Sequence, residues 1–230
     1  MNQINNIVDF IESGLMMFSH KENPDKIKLY NHQYKLLQRL ETEDKMVILK
    51  ARQVGITSLF LLHALYKAIN NEGYVAYFMF SNNNQISNFR KNLIYILDRM
   101  GMSNDFGGNK NKITFKNGSV ICMVDQTHGD IGIANFAYVD ECASYLSDFK
   151  YEKCNFIDKL VVASTAGKSD TNFHKLWKEN KNGLGAFYPV KLPYDVHPER
   201  DIEWLERQKV CLGKKMIKSE LKCKFIKDKK

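Results

Sequence analysis

Apolar positions along this chain recur with two alternating periods. Residues 5–18 place Ile7, Val8, Phe10, Ile11, Leu15 and Met16 at helical spacing, and Asn23-Pro24 breaks that pattern. Residues 34–40 predict a short helix. The run 46–49 is short, apolar and consistent with a buried strand. A polar, small-residue loop follows, then an apolar helix over 57–70. Residues 74–80 predict a second buried strand and 85–100 an amphipathic helix. The segments 112–115 and 119–123 flank Lys116-Asn117-Gly118, and Asn-Gly is a strong hairpin signal. Strands follow at 136–139 and 160–163, then a helix over 172–181, a strand over 187–192, and helices over 201–212 and 214–222. Strands that are apolar throughout and alternate with helices predict an α/β fold, a mostly parallel sheet with helices on both faces. Such sheets bind ligands at the carboxyl ends of their strands.

Chemistry-bearing residues follow two of these strands. Phe136-Ala137-Tyr138-Val139 ends abruptly in Asp140-Glu141. A buried strand that delivers two adjacent carboxylates suits a nucleotide hydrolase, with the Asp acting through magnesium and the Glu polarising water. It also suits a plain strand running into an acidic turn. The 46–49 strand leads into Lys50-Ala51-Arg52-Gln53-Val54-Gly55-Ile56-Thr57-Ser58. The usual phosphate loop is Gly-x-x-x-x-Gly-Lys-Ser/Thr. Here Gly55 and Thr57 stand in place, Ile56 occupies the lysine position, and Lys50 occupies that of the first glycine. Backbone N–H groups at a helix start bind phosphate whatever the side chains. Thr57 can ligate magnesium, Lys50 can reach phosphate from the strand end, and Arg52 adds a second cation. An ordinary strand-turn-helix connection accounts for the same residues. The acid pair downstream favours the nucleotide reading.

Composition narrows the partners. The chain has 230 residues, 44% hydrophobic and 26% charged, as in ordinary globular proteins. No apolar run approaches the ~20 residues needed to cross a bilayer. Asp9 and Glu12 interrupt the amino-terminal apolar residues, unlike a signal peptide. Cys122, Cys142, Cys154, Cys211 and Cys223 form no Cys-x-x-Cys pair, which points away from zinc and toward reduced thiols. Net charge is +8, and residues 205–230 carry ten Lys or Arg against Glu206, Glu220 and Asp228. A basic tail fits a polyanion such as nucleic acid, or simply a solvated terminal helix.

Taken in order, these segments resemble the ATPase domain of the large terminase subunit, the DNA-packaging motor of tailed bacteriophages. Leu29-Tyr30-Asn31-His32-Gln33 is similar to the family's adenine-sensing element. Lys50 through Ser58 is similar to its deviant Walker A loop, and Phe136 through Ala143 to its Walker B strand. Leu160 through Gly167 is similar to its coupling motif. Phe173-x-x-x-Trp177 and His197-Pro198-x-x-Asp201-x-x-Trp204 match later segments. The resemblance implies a P-loop NTPase of the ASCE type with a mostly parallel sheet flanked by helices. It implies residues 1–28 as a helical lead-in, 29–200 as the ATPase core and 201–230 as a basic helical segment. Gln33 would contact adenine, and Gln53, Val54, Gly55, Ile56, Thr57 and Ser58 would cradle the phosphates of ATP. Lys50 and Arg52 would hold charge on the transferred group, Thr57 and Asp140 would hold Mg2+, and Glu141 would orient water. Ser164 and Thr165 would sense the γ-phosphate. The implied partners are double-stranded DNA, a portal protein, a small terminase subunit and further copies in a ring. The implied setting is the cytoplasm of an infected cell, outside the mature virion. Members usually continue into a nuclease domain where this sequence stops, so no DNA cleavage is expected of these residues. Many members also place an arginine just before the acid strand. The matching residues 126–132 have none, leaving Arg52, or Arg90 supplied in trans, for that role. Two other readings stay open: a different nucleic-acid translocase or helicase-like ATPase, and a catalytically weak nucleotide-binding scaffold.

Overall fold

The computed structural model describes residues 3–18, 29–127, 131–145, 154 and 156–227. The break at Asn23-Pro24 and His128 lie outside them. The strands are β1 (Lys45–Lys50), β2 (Val75–Phe80), β3 (Phe106–Asn109), β4 (Lys112–Phe115), β5 (Val120–Asp125), β6 (Ala134–Val139), β7 (Ile157–Ser164) and β8 (Tyr188–Leu192). The longer helices are α1 (Gln3–Phe18), α2 (Asn31–Thr42), α3 (Ile56–Asn70), α4 (Asn83–Arg99), α5 (Asn172–Lys181) and α6 (Ile202–Cys211). The strands form one eight-stranded sheet in the order β3-β4-β5-β2-β6-β7-β1-β8. Pairs β1–β7, β1–β8 and β2–β5 are parallel, and β3–β4–β5 is antiparallel. The expected mostly parallel α/β sheet is therefore present.

By contacts the chain divides into two compact units. The first comprises Met1–Leu29, Gly55–Tyr138 and Glu152–Asp158. Its core holds Phe60, Phe78, Phe136 and Tyr138, with ring centroids 5.1 to 6.0 Å apart. This aromatic packing explains why β2 and β6 are apolar at every position that faces it. The Asn117-Gly118 turn forms as expected, with Gly118 at φ 80° and Asn117 Nδ2 donating to the Ala68 carbonyl at the end of α3. Strand β3 has no counterpart in the sequence pattern. Its Phe-Gly-Gly-Asn run has neither alternation nor β-branching, yet it pairs with β4 because Gly108 admits close approach. A Cβ there would lie 2.2 Å from the Lys112 carbonyl oxygen.

The second unit comprises Tyr30–Val54, Val139–Tyr151 and Lys159–Lys230. Here β1 lies between β7 and β8, with Leu49 opposite Ser164 and Lys50 opposite Leu192. All three strands end together, so the residues that follow them meet. Helix α2 begins at Asn31 rather than 34, because Gln33 Oε1 accepts from the Tyr30 N–H at 3.0 Å and secures the first turn. The single helix expected over 214–222 is not present. A short helix α7 (Lys214–Met216) runs into a π-turn at Ile217–Leu221, where the Lys222 N–H reaches back to the Ile217 carbonyl. The wider turn lets the Glu220 carbonyl accept from the Arg52 N–H at 2.9 Å, and π-turns often mark functional places. Leu205, Ile217 and Leu221 anchor this segment against Tyr194, Trp204 and Leu212.

Candidate nucleotide site

The loop after β1 is held at both faces of its backbone. Ala51 N–H donates to the Leu192 carbonyl at 2.7 Å. Arg200 donates from Nη1 to the Arg52 carbonyl at 2.7 Å and from Nη2 to the Gln53 carbonyl at 2.8 Å. His32 Nε2 lies 2.8 Å from the Val54 carbonyl. Gln53 (φ 55°) and Gly55 (φ 75°) are left-handed, and together they turn the chain into the first turn of α3. Ile56 is 2% exposed, so the position of the usual lysine is an apolar packing site. A lone ammonium there would be costly. Thr57 and Ser58 stand in that first turn, and Thr57 Oγ1 lies 3.3 Å from the Tyr138 hydroxyl.

Lys50, at the end of β1, is 5% exposed. Its Nζ donates to Glu141 Oε1 at 2.5 Å and lies 3.7 Å from Asp140 Oδ1. The displaced lysine therefore does face the acid pair, more closely through Glu141 than through Asp140. Glu141 adopts φ 52°, an unusual conformation for a residue other than Gly, Asn or Asp. The turn aims its N–H at Asp140 Oδ1, 3.1 Å away. Burial pushes the Glu141 carboxyl up, but the Lys50 ammonium outweighs it and holds it below the usual carboxylate value. Burial likewise pushes Lys50 down, and Asp140 with Glu141 more than reverses that.

The end of β7 closes the cluster. Ser164 Oγ accepts from the Ala143 N–H at 3.0 Å. Thr165 reaches Glu141 Oε2 through both its N–H and its hydroxyl at 3.4 Å, and Glu220 Oε1 at the same distance. Small residues after both motifs are needed here, since a Cβ on Gly167 would lie 3.2 Å from that of Ala143. Arg52 is exposed, and its Nε is ion-paired with Glu220 Oε2. Arg90 Nε donates to the Asn109 carbonyl on β3.

Lys50, Arg52, Asp140, Glu141, Ser164 and Thr165 thus come together as the sequence suggests. Gln33 is buried in α2, where its Oε1 caps its own helix. A cleft of about 900 Å3 runs along α2 and β8, with His32, Arg39, Tyr188 and Lys191 in its wall. That wall includes neither Lys50 nor the acids. His32, Arg200 and Glu220 join the site without any signal in the sequence pattern. Among the described residues no group of three His, Cys, Asp or Glu could hold a metal alone. The hard carboxylate oxygens of Asp140 nevertheless suit magnesium, which takes one or two protein oxygens and completes its shell with phosphates and water.

No family model matches the chain, and no curated protein matches it. Solved structures do. The ATPase domain of the Thermus phage P74-26 large terminase superposes with a TM-score of 0.66 at 14% identity, over 86% of this chain and 94% of that one. The HK97 bacteriophage large terminase gives 0.67 at 15% identity, over 93% of this chain and 49% of that one. The chain has the fold of a large-terminase ATPase domain. A large terminase from a thermophilic bacteriophage, in complex with ATP-gamma-S, gives 0.63 at 14% identity, over 86% of this chain and 53% of that one. The chain spans about half the length of these last two terminases. At such identities the fold is what this chain and the terminases share.

Proposed function

We propose that this chain is an ATP hydrolase of the packaging-motor type. The observation that carries the reading is the buried Lys50 ammonium between Asp140 and Glu141, beside a loop whose carbonyls are held by Arg200. The thermophilic-phage terminase in complex with ATP-gamma-S supports the choice of nucleotide.

Backbone N–H groups from Gln53 to Ser58 cradle the phosphates. Lys50 exchanges its bond to Glu141 for the β- and γ-phosphates. Released from the ammonium, Glu141 orients the attacking water and accepts its proton. Arg52, on leaving Glu220, adds positive charge at the transferred group. Asp140 would hold magnesium, which when bound would supply positive charge beside the phosphate oxygens. Thr165, bonded to Glu141 and Glu220, carries the change outward, with Ser164 fixing the turn at Ala143.

By the terminase likeness, the work done is translocation of double-stranded DNA into a procapsid. A ring of copies, a portal protein and a small terminase subunit would be the partners, inside an infected cell.

Phosphate release with and without double-stranded DNA tests the reading. The wild-type chain should hydrolyse ATP with DNA stimulation. Glu141→Gln should bind ATP yet lose at least about a hundredfold in turnover, as for removal of a positioned general base. Equal turnover by the variant would remove Glu141 from its role. Nucleotide binding without turnover by the wild type would favour the scaffold reading.

A further inference from the structure

The phosphate loop is gripped from its carbonyl side. In a trans peptide the C=O of one residue and the N–H of the next point in opposite directions. Arg52 O and Gln53 O converge on one guanidinium, at 2.7 and 2.8 Å, and Val54 O lies 2.8 Å from His32 Nε2. The N–H groups of Gln53, Val54 and Gly55 therefore face away from these two side chains. The left-handed φ of Gln53 is what lets neighbouring carbonyls converge this way, as in backbone nests that receive anions.

We propose that Arg200 and His32 are positioning residues that clamp the carbonyl face of the loop, so that its N–H face is preset for a phosphate-type anion. The identity of that anion rests on the nucleotide reading. The clamp itself rests on geometry alone.

Both side chains are built for the task. Arg200 is 9% exposed, and its guanidinium lies 4.8 Å from the Trp204 ring centroid, which fixes the plane of the fork. A planar fork serves two carbonyls at once, which a lysine ammonium does less well. His32 is buried, with Nε2 toward Val54 O and Nδ1 at 3.1 Å from Val196 O. Burial pushes its pKa down, favouring a neutral ring with a single N–H. The Nε2–H tautomer serves the loop through the shorter contact. Both act through the loop backbone and so are positioning rather than catalytic residues.

A preset loop holds substrate and product phosphates alike. Losing the clamp should therefore weaken ground-state binding more than the chemical step. The full chain is compared with Arg200→Gln, His32→Phe and His32→Gln. In the last, a side-chain amide nitrogen can stand near the Nε2 position. Backbone relaxation of the Gln53 and Val54 amides is measured without nucleotide, along with the Kd for ADP, and KM and kcat for ATP. Arg200→Gln and His32→Phe should loosen both amides, raise Kd and KM about tenfold or more, and change kcat by less than about threefold. His32→Gln should restore most of the order and affinity. Amides as ordered as in the wild type, or a fall in kcat and Tm with KM unchanged, would overturn the clamp. Should the wild type bind no ADP, the nucleotide reading fails and the amide measurement alone decides the clamp.

Discussion

Replacing Lys50 by Met is the sharpest perturbation, because it removes one charge from a buried triad and keeps an unbranched apolar stem of nearly the same length. In the native chain Nζ lies 2.5 Å from Glu141 Oε1 and 3.7 Å from Asp140 Oδ1, with the lysine side chain 7% exposed. Removing one partner of a buried pair leaves the other charge uncompensated, at a cost of about 3 to 5 kcal/mol. Glu141 is also reached by Thr165, so the lower end, about 3 kcal/mol at pH 7, is expected. The pH dependence provides a second check. The native Glu141 carboxyl sits below its ordinary value of 4.5, so its contribution is present above that pH and lost as pH falls through the folded value. Native Lys50 sits above 10.5, so its contribution is lost only as pH rises through that raised value. In Lys50→Met the main influence opposing burial at Glu141 is gone, leaving only the Thr165 N–H and the Arg52 charge against it, so its pKa should rise from the native position. The gap in urea-unfolding free energy between wild type and variant should then shrink as pH falls from about 7 toward about 4. The double variant Lys50→Met with Glu141→Gln should recover part of the loss, since no charge is left unpaired at that carboxyl. A gap under about 1 kcal/mol that ignores pH would refute the reasoning.

Two further outcomes are expected. Ile56→Lys, which writes the usual phosphate-loop lysine back into the sequence, should lower stability by at least about 2 kcal/mol in chemical denaturation, because that side chain is packed away from water. Gain of turnover without loss of stability would contradict the displaced-lysine reading. The lysines of the carboxyl-terminal segment, Lys209, Lys214, Lys218, Lys222 and Lys224, line one shallow cleft. Binding of double-stranded DNA should fall steeply between about 50 and 200 mM salt and show no sequence preference in fluorescence anisotropy. A flat response would separate the basic segment from DNA.

The parts of the site that are legible in the sequence share a cause. Lys50, Asp140 and Ser164 each follow an apolar run, and a buried parallel strand must end where polarity begins. The strand ends therefore mark the site edge without any tertiary information. What stays hidden depends on distant partners. Arg200 meets the loop from 147 residues away, and Glu220 meets Arg52 from 168 residues away. Neither separation leaves a local pattern. The lysines of the tail predict one basic helix, and the π-turn that delivers Glu220 has no periodicity of its own. Gln33 is legible as an amide beside an aromatic residue, but its Oε1 satisfies the backbone of Tyr30, a capping role written in the same three-residue spacing.

The left-handed backbone at position 141 has a consequence for what can be substituted there. Asp tolerates that conformation more readily than Glu, so steric ease alone would favour the shorter acid. Yet the carboxylate at 141 reaches a threonine just past the adjacent strand β7 and a lysine at the end of β1, one strand farther on, a span that the extra methylene serves. Position 141 therefore trades backbone comfort for span, and an aspartate placed there would relax the turn while shortening the reach to both contacts.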